Sequence, residues 1–328
     1  VQILYIIGNG FDLNLGLKTS YKDFYDSYKS ENSDNENIAL LKKNISNNYK
    51  NWSDLELALG HYTDELKSLE EFDTVFEDIG EKLAQYLMKE EENFEYEKVD
   101  SAKFLKELVI PENALLPADR LSIRSYKQKF SNTHWATEIF TFNYTRVIEK
   151  ILGNDLKDIK ITNPLYPNSK IQLRNVHHIH GYTDDRMVMG VNDISQLKNK
   201  SFHNNQDVLE AIIKEKCNKA YRHTIDNQLK AKINTASMIC IFGSSIGDTD
   251  NMWWELIGER LKKDIPLIIF TKGEEVISPR IGYKNNRTER RMRNYFLKKT
   301  KLTKEEKEKV YNNIYVALDS SMFKNIYV

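Results

Sequence analysis

Four polar loops hold the residues of this chain whose types and spacing could do chemistry. Gly8-Asn9-Gly10-Phe11-Asp12 follows the apolar run Ile3-Leu4-Tyr5-Ile6-Ile7. Asn143-Tyr144-Thr145 follows a second run ending in Thr141 and Phe142. His180-Gly181 closes a third, and Gly243-Ser244-Ser245, with Asp248 and Asp250 behind it, closes a fourth. Glycines let backbone amides approach a phosphate, and a helix beginning nearby adds positive potential. Each part also has a plain use: glycines turn the chain, Asn143 can cap a helix, and Asp248 and Asp250 can cap the next one. His177 and His178 lie inside a strand pattern and read as packed or surface residues, whereas packing explains His180 less easily. As a set, two glycine loops, one Asn and one His suit a dinucleotide.

For these loops to meet, the segments before them must be parallel strands. Short apolar or β-branched runs bounded by turn residues predict strands at 2–7, 137–142, 172–179, 237–242 and 266–271, with a less apolar sixth at 313–318. Helical periodicity follows at 146–152, and at 251–261 with Trp254, Ile257 and Leu261 on one face. Strand, loop and helix in alternation imply a parallel sheet covered on both sides, whose strand-to-helix loops share the carboxyl edge. The expected fold is therefore α/β, one Rossmann-like domain over residues 1–328. Residues 20–130, polar and helical in period, form a large helical insertion, and 185–235 a second helical excursion. Ser53-Asp54-Leu55-Glu56 reads as a capping box, which gives Glu56 a structural task.

Composition narrows the classes. At 40% hydrophobic and 29% charged residues the chain is an ordinary globular one. No apolar run approaches the roughly 20 residues of a membrane span, and no signal-peptide pattern is present. Two isolated cysteines, Cys217 and Cys240, form neither a disulfide framework nor a metal motif, so the expected location is the cytoplasm, with no membrane partner. A net charge of zero argues against a nucleic-acid partner for the whole protein. Yet residues 70–100 hold twelve Asp and Glu against three Lys, and 280–309 hold twelve Lys and Arg against four Glu. We expect solvated helical faces that meet each other or a second copy of the chain, as in a homo-oligomer. A nucleic-acid patch at Arg287, Arg290, Arg291 and Arg293 is the alternative.

The ordered set Ile7-Gly8-Asn9-Gly10-Phe11-Asp12, Trp52 to Glu56, Thr141-Phe142-Asn143-Tyr144-Thr145, His178-Ile179-His180-Gly181, Gly190-Val191-Asn192-Asp193 and Phe242-Gly243-Ser244-Ser245 with Asp248 and Asp250 resembles the bacteriophage abortive infection AbiH family. That resemblance implies a role in defence against phage, with a phage-derived trigger that the sequence does not name. A more distant one, to sirtuins and SIR2-like NADases, is carried by Gly8 to Asp12 with Gly16-Leu17, by Thr141 to Thr145, by His180-Gly181 and by Gly243-Ser244-Ser245. It implies a SIR2-like fold and NAD+, or a related nucleotide, as substrate. It makes Asn143 and His180 the catalytic residues and His180 the base, a residue type suited to neutral pH. Gly8, Asn9, Gly10, Phe11, Asp12, Thr141, Gly243, Ser244, Ser245 and Asp248 would bind the nucleotide. A methyl group at Gly10 is then expected to weaken binding more than folding.

Departures are plain: Asn9 stands where those NADases have Ala, Asp12 where they have Ser, and Thr145 where they have Asp. The four-cysteine zinc module of the deacylases is missing, so deacylation is not expected, and no metal is. The expected activity is hydrolysis of NAD+ at the nicotinamide–ribose bond. Two alternatives remain open. One is a nucleotide sensor that acts through a partner without turnover. The other is a metal-dependent enzyme acting on nucleic acid through Asp12, Glu56, Asp193, Asp248 and Asp250.

Overall fold

All six residues of β1 (Gln2–Ile7) are buried, and successive side chains leave to opposite faces. Ile3, Tyr5 and Ile7 enter one core, Leu4 and Ile6 another. A strand apolar on both faces belongs inside a covered parallel sheet, and β1 lies there. The computed structural model describes residues 1–131, 133–153, 160–162, 170–272 and 283–326. Within them β2 (Trp135–Thr141), β3 (Lys160–Thr162), β4 (Lys170–His178), β5 (Met238–Phe242), β6 (Leu267–Thr271) and β7 (Ile314–Leu318) complete one sheet. Its order is β3-β4-β2-β1-β5-β6-β7, parallel throughout except for the β3–β4 pair. With the antiparallel edge strand set aside, this is the doubly wound order that reverses between its first and fourth strands, here β1 and β5. A crevice at the carboxyl edge belongs to that reversal.

The six strands expected from apolar runs are all present, their ends shifted by a residue or two. β3 was not expected: three residues, none buried, give no apolar signal.

Helices sort by the core they bury. After the short α1 (Gly10–Asn14) come α2 (Tyr21–Tyr28), α3 (Glu36–Asn47), α4 (Leu55–Tyr62) and α5 (Leu69–Glu92), which share a core of their own. The next three, α6 (Ser101–Val109), α7 (Pro117–Gln128) and α8 (Val147–Leu152), cover the Ile3, Tyr5 and Ile7 face of the sheet. α9 (Gln206–Ile212) rejoins the separate core, and α10 (Lys214–Ala220) follows it directly. α11 (Ile225–Thr235), α12 (Asn251–Leu261), α13 (Asn285–Lys298) and α14 (Lys304–Val310) lie on the Leu4 and Ile6 face. The helical stretch 20–130 thus does two jobs: α2 to α5 form a cap, and α6 and α7 return to the sheet. Tyr144, Met189 and Val191, which follow β2 and β4, pack into the cap core. That contact seats the cap on the carboxyl edge. Cys217 and Cys240 are free and buried, and no helix among the described residues is long and apolar enough to cross a membrane.

One buried ion pair pins α7. Lys127 Nζ lies 2.9 and 3.0 Å from the two Glu112 oxygens and donates to Val109 O, with both side chains at 0% exposure. Breaking such a pair strands a charge in the interior. Glu112→Ala is expected to cost about 3–5 kcal/mol, whereas replacing both partners by apolar residues of similar volume should cost far less. Urea unfolding of the single and double variants checks the order; a double variant as unstable as the single one would refute it.

Candidate functional site

The first loop and the fourth hold each other. Gly8 N–H donates to Phe242 O at 2.9 Å, and Gly10 N–H donates to Gly243 O at 2.8 Å. A Cβ on Gly10 would stand 2.5 Å from Gly243 Cα, and one on Gly8 2.8 Å from Gly243 O. Gly243 itself sits at φ +66, with Phe11 N 2.7 Å from where its Cβ would be. The three glycines are therefore required by backbone meeting backbone at the β1–β5 reversal. Gly10 spends its amide on Gly243 rather than presenting it to a phosphate. Phe11 is fully buried against Phe104, Phe242 and Phe323, and Asn9 exchanges hydrogen bonds with Thr19. Asn9, Gly10, Gly243, Ser244, Ser245 and Asp248 reach the surface in part; Gly8, Phe11, Asp12 and Thr141 are buried.

Beneath this clasp lies Asp12. Asn143 Nδ2 donates to its Oδ1 at 2.9 Å and Thr145 Oγ1 to its Oδ2 at 2.5 Å. Thr141 Oγ1 donates to Ile7 O and accepts from Asn143 N–H, so the end of β2 is stapled to β1. Burial pushes the Asp12 carboxyl up to about 7, against the hydrogen bonds from Thr145 and Asn143 and with help from Glu91 and Glu149. Glu149 contacts His178 Nε2 at 2.7 Å, and His178 Nδ1 contacts Asn143 O at 2.7 Å. Glu91 receives Arg146 N–H and pairs with Lys150. Asn143 Oδ1 is buried without a hydrogen-bond partner, a costly state unless something fills it.

A second cluster forms where the cap meets the sheet. His180 Nε2 lies 3.0 Å from Asp250 Oδ1. Lys214 Nζ donates to that same oxygen at 2.9 Å and to Glu56 Oε2 at 2.8 Å. Tyr144 OH lies 3.0 Å from Glu56 Oε1 and 3.2 Å from Val188 O. Burial alone would raise the Asp250 carboxyl; Lys214 and His180 outweigh it and hold it well below the ordinary range. Burial likewise works against the Lys214 charge, and Asp250 and Glu56 reverse that effect, raising its pKa. The His180 ring rests on Phe142, with centroids 5.1 Å apart. Gly181 at φ +74 makes the turn behind it, where a Cβ would fall 1.8 Å from Arg186 O. The turn closes through Val188 N–H to His180 O. In effect, an imidazole is held by a carboxylate whose charge a buried ammonium maintains. Such a group can accept a proton on its other nitrogen.

Two expectations need correction. The cap of α4 is Asp54, whose carboxylate accepts Leu57 N–H, not Ser53. That shift of one residue turns Glu56 inward to Lys214 and Tyr144, so it does not cap. The carboxylates of the metal alternative also stay apart. Asp12 is bound by Asn143 and Thr145, Asp193 caps the turn Ile194–Gln196, and Asp248 pairs with Lys299. Only Glu56 and Asp250 of that set share a partner. Among the described residues no group of three or more His, Cys, Asp or Glu could hold a metal ion. Sequence reasoning missed Lys214, which carries no local signal because it simply follows Ile212-Ile213, and it placed Tyr144 in the loop after β2 without giving it a role.

The family description "Bacteriophage abortive infection AbiH" matches residues 4–271, which contain both clusters and the clasp. Among curated proteins none matches the sequence.

Two outcomes follow from this geometry. The folded protein keeps a proton on Asp12 that the unfolded chain, with an ordinary value of 3.8, has released. Stability from this group is therefore full below that value and lost as pH rises through about 7. Asp12→Asn should remove that part of the pH dependence. Urea midpoints of both proteins across the range test this, and parallel profiles would disprove it. Gly10→Ala should unsettle the fold itself, by about 1–3 kcal/mol or more as for other overpacked sites, where the sequence led us to expect the larger effect on binding. A melting temperature unchanged in Gly10→Ala would contradict the clasp.

Proposed function

The chain belongs to the bacteriophage abortive infection AbiH family, and on that premise we propose that it binds NAD+ or a closely related nucleotide at the carboxyl edge and hydrolyses its nicotinamide–ribose bond. The observation that carries this reading is the buried His180–Asp250 pair, fixed by Lys214 beside the point where the sheet order reverses. The resemblance of the Asn and His motifs to those of SIR2-like NADases supports the choice of nucleotide.

In this mechanism Asp250 accepts the Nε2–H of His180, which leaves the Nδ1 lone pair as base. The bond from ribose to nicotinamide breaks through an oxocarbenium-like transition state, and nicotinamide leaves with the bonding electrons as a neutral base. Water adds to the ribose carbon, and His180 takes its proton. The products are ADP-ribose, nicotinamide and one proton. Asn143 positions the water or a ribose hydroxyl through the Oδ1 that lacks a partner. Lys214 keeps Asp250 ionised, and so keeps the imidazole oriented. In an infected cell the outcome would be loss of NAD+.

One observation favours the sensor reading instead. His180 is 3% exposed and Asn143 5% exposed, and both Asp12 oxygens already hold donors, so the edge is closed. The experiment that separates the readings measures nicotinamide release and NAD+ binding on the purified protein, with and without phage lysate. Release by wild type and none by His180→Ala, at equal melting temperatures, is the expected result. Lys214 still partners Asp250 in that variant, so folding should survive. Binding without release in either condition would move the protein to the sensor class. Neither binding nor release would overturn the nucleotide reading.

A further inference from the structure

The basic segment holds a site of a different kind. Between α13 and α14, at the end of β6, lies a groove of about 950 Å³, at the upper end of ligand-site sizes. Lys272, Arg291, Lys298, Lys304 and Lys307 line it, against the single carboxylate of Glu308. Several neighbouring cations are paired: Lys299 with Asp248, Lys301 with Glu255, Arg293 with Glu289 and Lys262 with Glu306. Lys272, Lys298, Lys304 and Lys307 have no ion-pair partner among the described residues. Among the described residues this concave surface is thus strongly basic, although the chain as a whole is neutral.

Shape and chemistry narrow the ligand. Arg291, Tyr295 and Lys298 recur at intervals of four and three residues, so they share one face of α13. Lys272 from just past β6, Lys298 from α13, and Lys304 and Lys307 from α14 bring cations to the groove from three elements, which suits a run of phosphates rather than one. Tyr295 and Tyr311 also line the groove; Tyr295 is 39% exposed and its hydroxyl reaches the carbonyls of Ser245 and Ile246. An exposed aromatic ring among cations, as Tyr295 is, suits a single strand of nucleic acid, since a base can stack while phosphates are neutralised. The expected patch Arg287, Arg290, Arg291 and Arg293 is not the surface concerned. Arg291 alone of the four lines the groove, and Arg293 is committed to Ile314 O and Glu289. We propose that this groove is a binding site for single-stranded nucleic acid, separate from the His180 cluster.

The test uses the full chain and a short fluorescein-labelled oligothymidylate, followed by anisotropy. Wild type should bind saturably, with log affinity falling against log salt by about 0.7 for each phosphate neutralised. The triple variant Lys298→Gln, Lys304→Gln, Lys307→Gln should bind at least tenfold more weakly, with that slope flattened by about 2, at an unchanged melting temperature. Tyr295→Leu should bind several-fold more weakly. The proposal fails if wild type shows no saturable binding at low salt, or if the triple variant binds as tightly. It also fails if a duplex of equal length binds as well as the single strand. Displacement of the oligonucleotide by NAD+ would likewise overturn it, by assigning the groove to the nucleotide site.

Discussion

A single buried ammonium joins the parts of this protein that the backbone leaves separate. Lys214 comes from the second helical stretch, Glu56 from the first, and Asp250 from the loop after β5. Because its pair of carboxylates comes from the cap and the sheet, neither body can move away without exposing an unpaired charge to an apolar interior, a loss of about 3–5 kcal/mol. His180 depends on this arrangement at one remove, since it meets the same Asp250 oxygen that Lys214 holds. Tyr144 extends the chain of contacts from Glu56 back to the residue next to Asn143.

The two acidic groups at the centre of the edge answer burial in opposite ways. Asp12 finds only neutral donors, Asn143 and Thr145, with Glu91 and Glu149 nearby, and its carboxyl rises to about 7. Asp250, less deeply set, finds a lysine and a histidine, and stays ionised. Desolvation is common to both; the partner decides. One of these carboxyls is therefore suited to bracing β1 against the loop after β2, the other to orienting an imidazole. The glycines that first suggest a phosphate loop belong to the bracing. Gly8, Gly10 and Gly243 let the β1 and β5 loops touch, and this contact fixes the height at which Asp12 and Asp250 sit.

Charge is also sorted by structure rather than by sequence position. The acidic α5 turns Glu91 toward Lys150 and the Arg146 amide, beside the Asp12 cluster. In the basic segment some cations find carboxylates on neighbouring elements, while Lys298, Lys304 and Lys307 collect along a groove. Residues 280–282 of that segment lie outside the described residues. Formal neutrality of the chain therefore hides a local imbalance large enough to matter within a Debye length of about 8–10 Å.

Much of the fold was legible in the sequence. Apolar runs such as Met238-Ile239-Cys240-Ile241-Phe242 can only be two-faced strands, and the helices between them leave a parallel sheet as the economical arrangement. Once the sheet is parallel, Gly8, Asn143, His180 and Gly243 must gather on one edge. β3 escaped because three unburied residues carry no periodicity. What the sequence could not assign was the partner of each polar group. Ser53-Asp54-Leu55-Glu56 fits a cap in either of two registers, and only the burial of Glu56 against Lys214, 158 residues away, selects Asp54. Lys214 gives no warning of its place, because a lysine after two isoleucines is as compatible with the surface as with the interior. Periodicity records which face of an element is buried, a local property. Pairing of buried charge is decided by elements distant in sequence, and it exists only when the chain has folded.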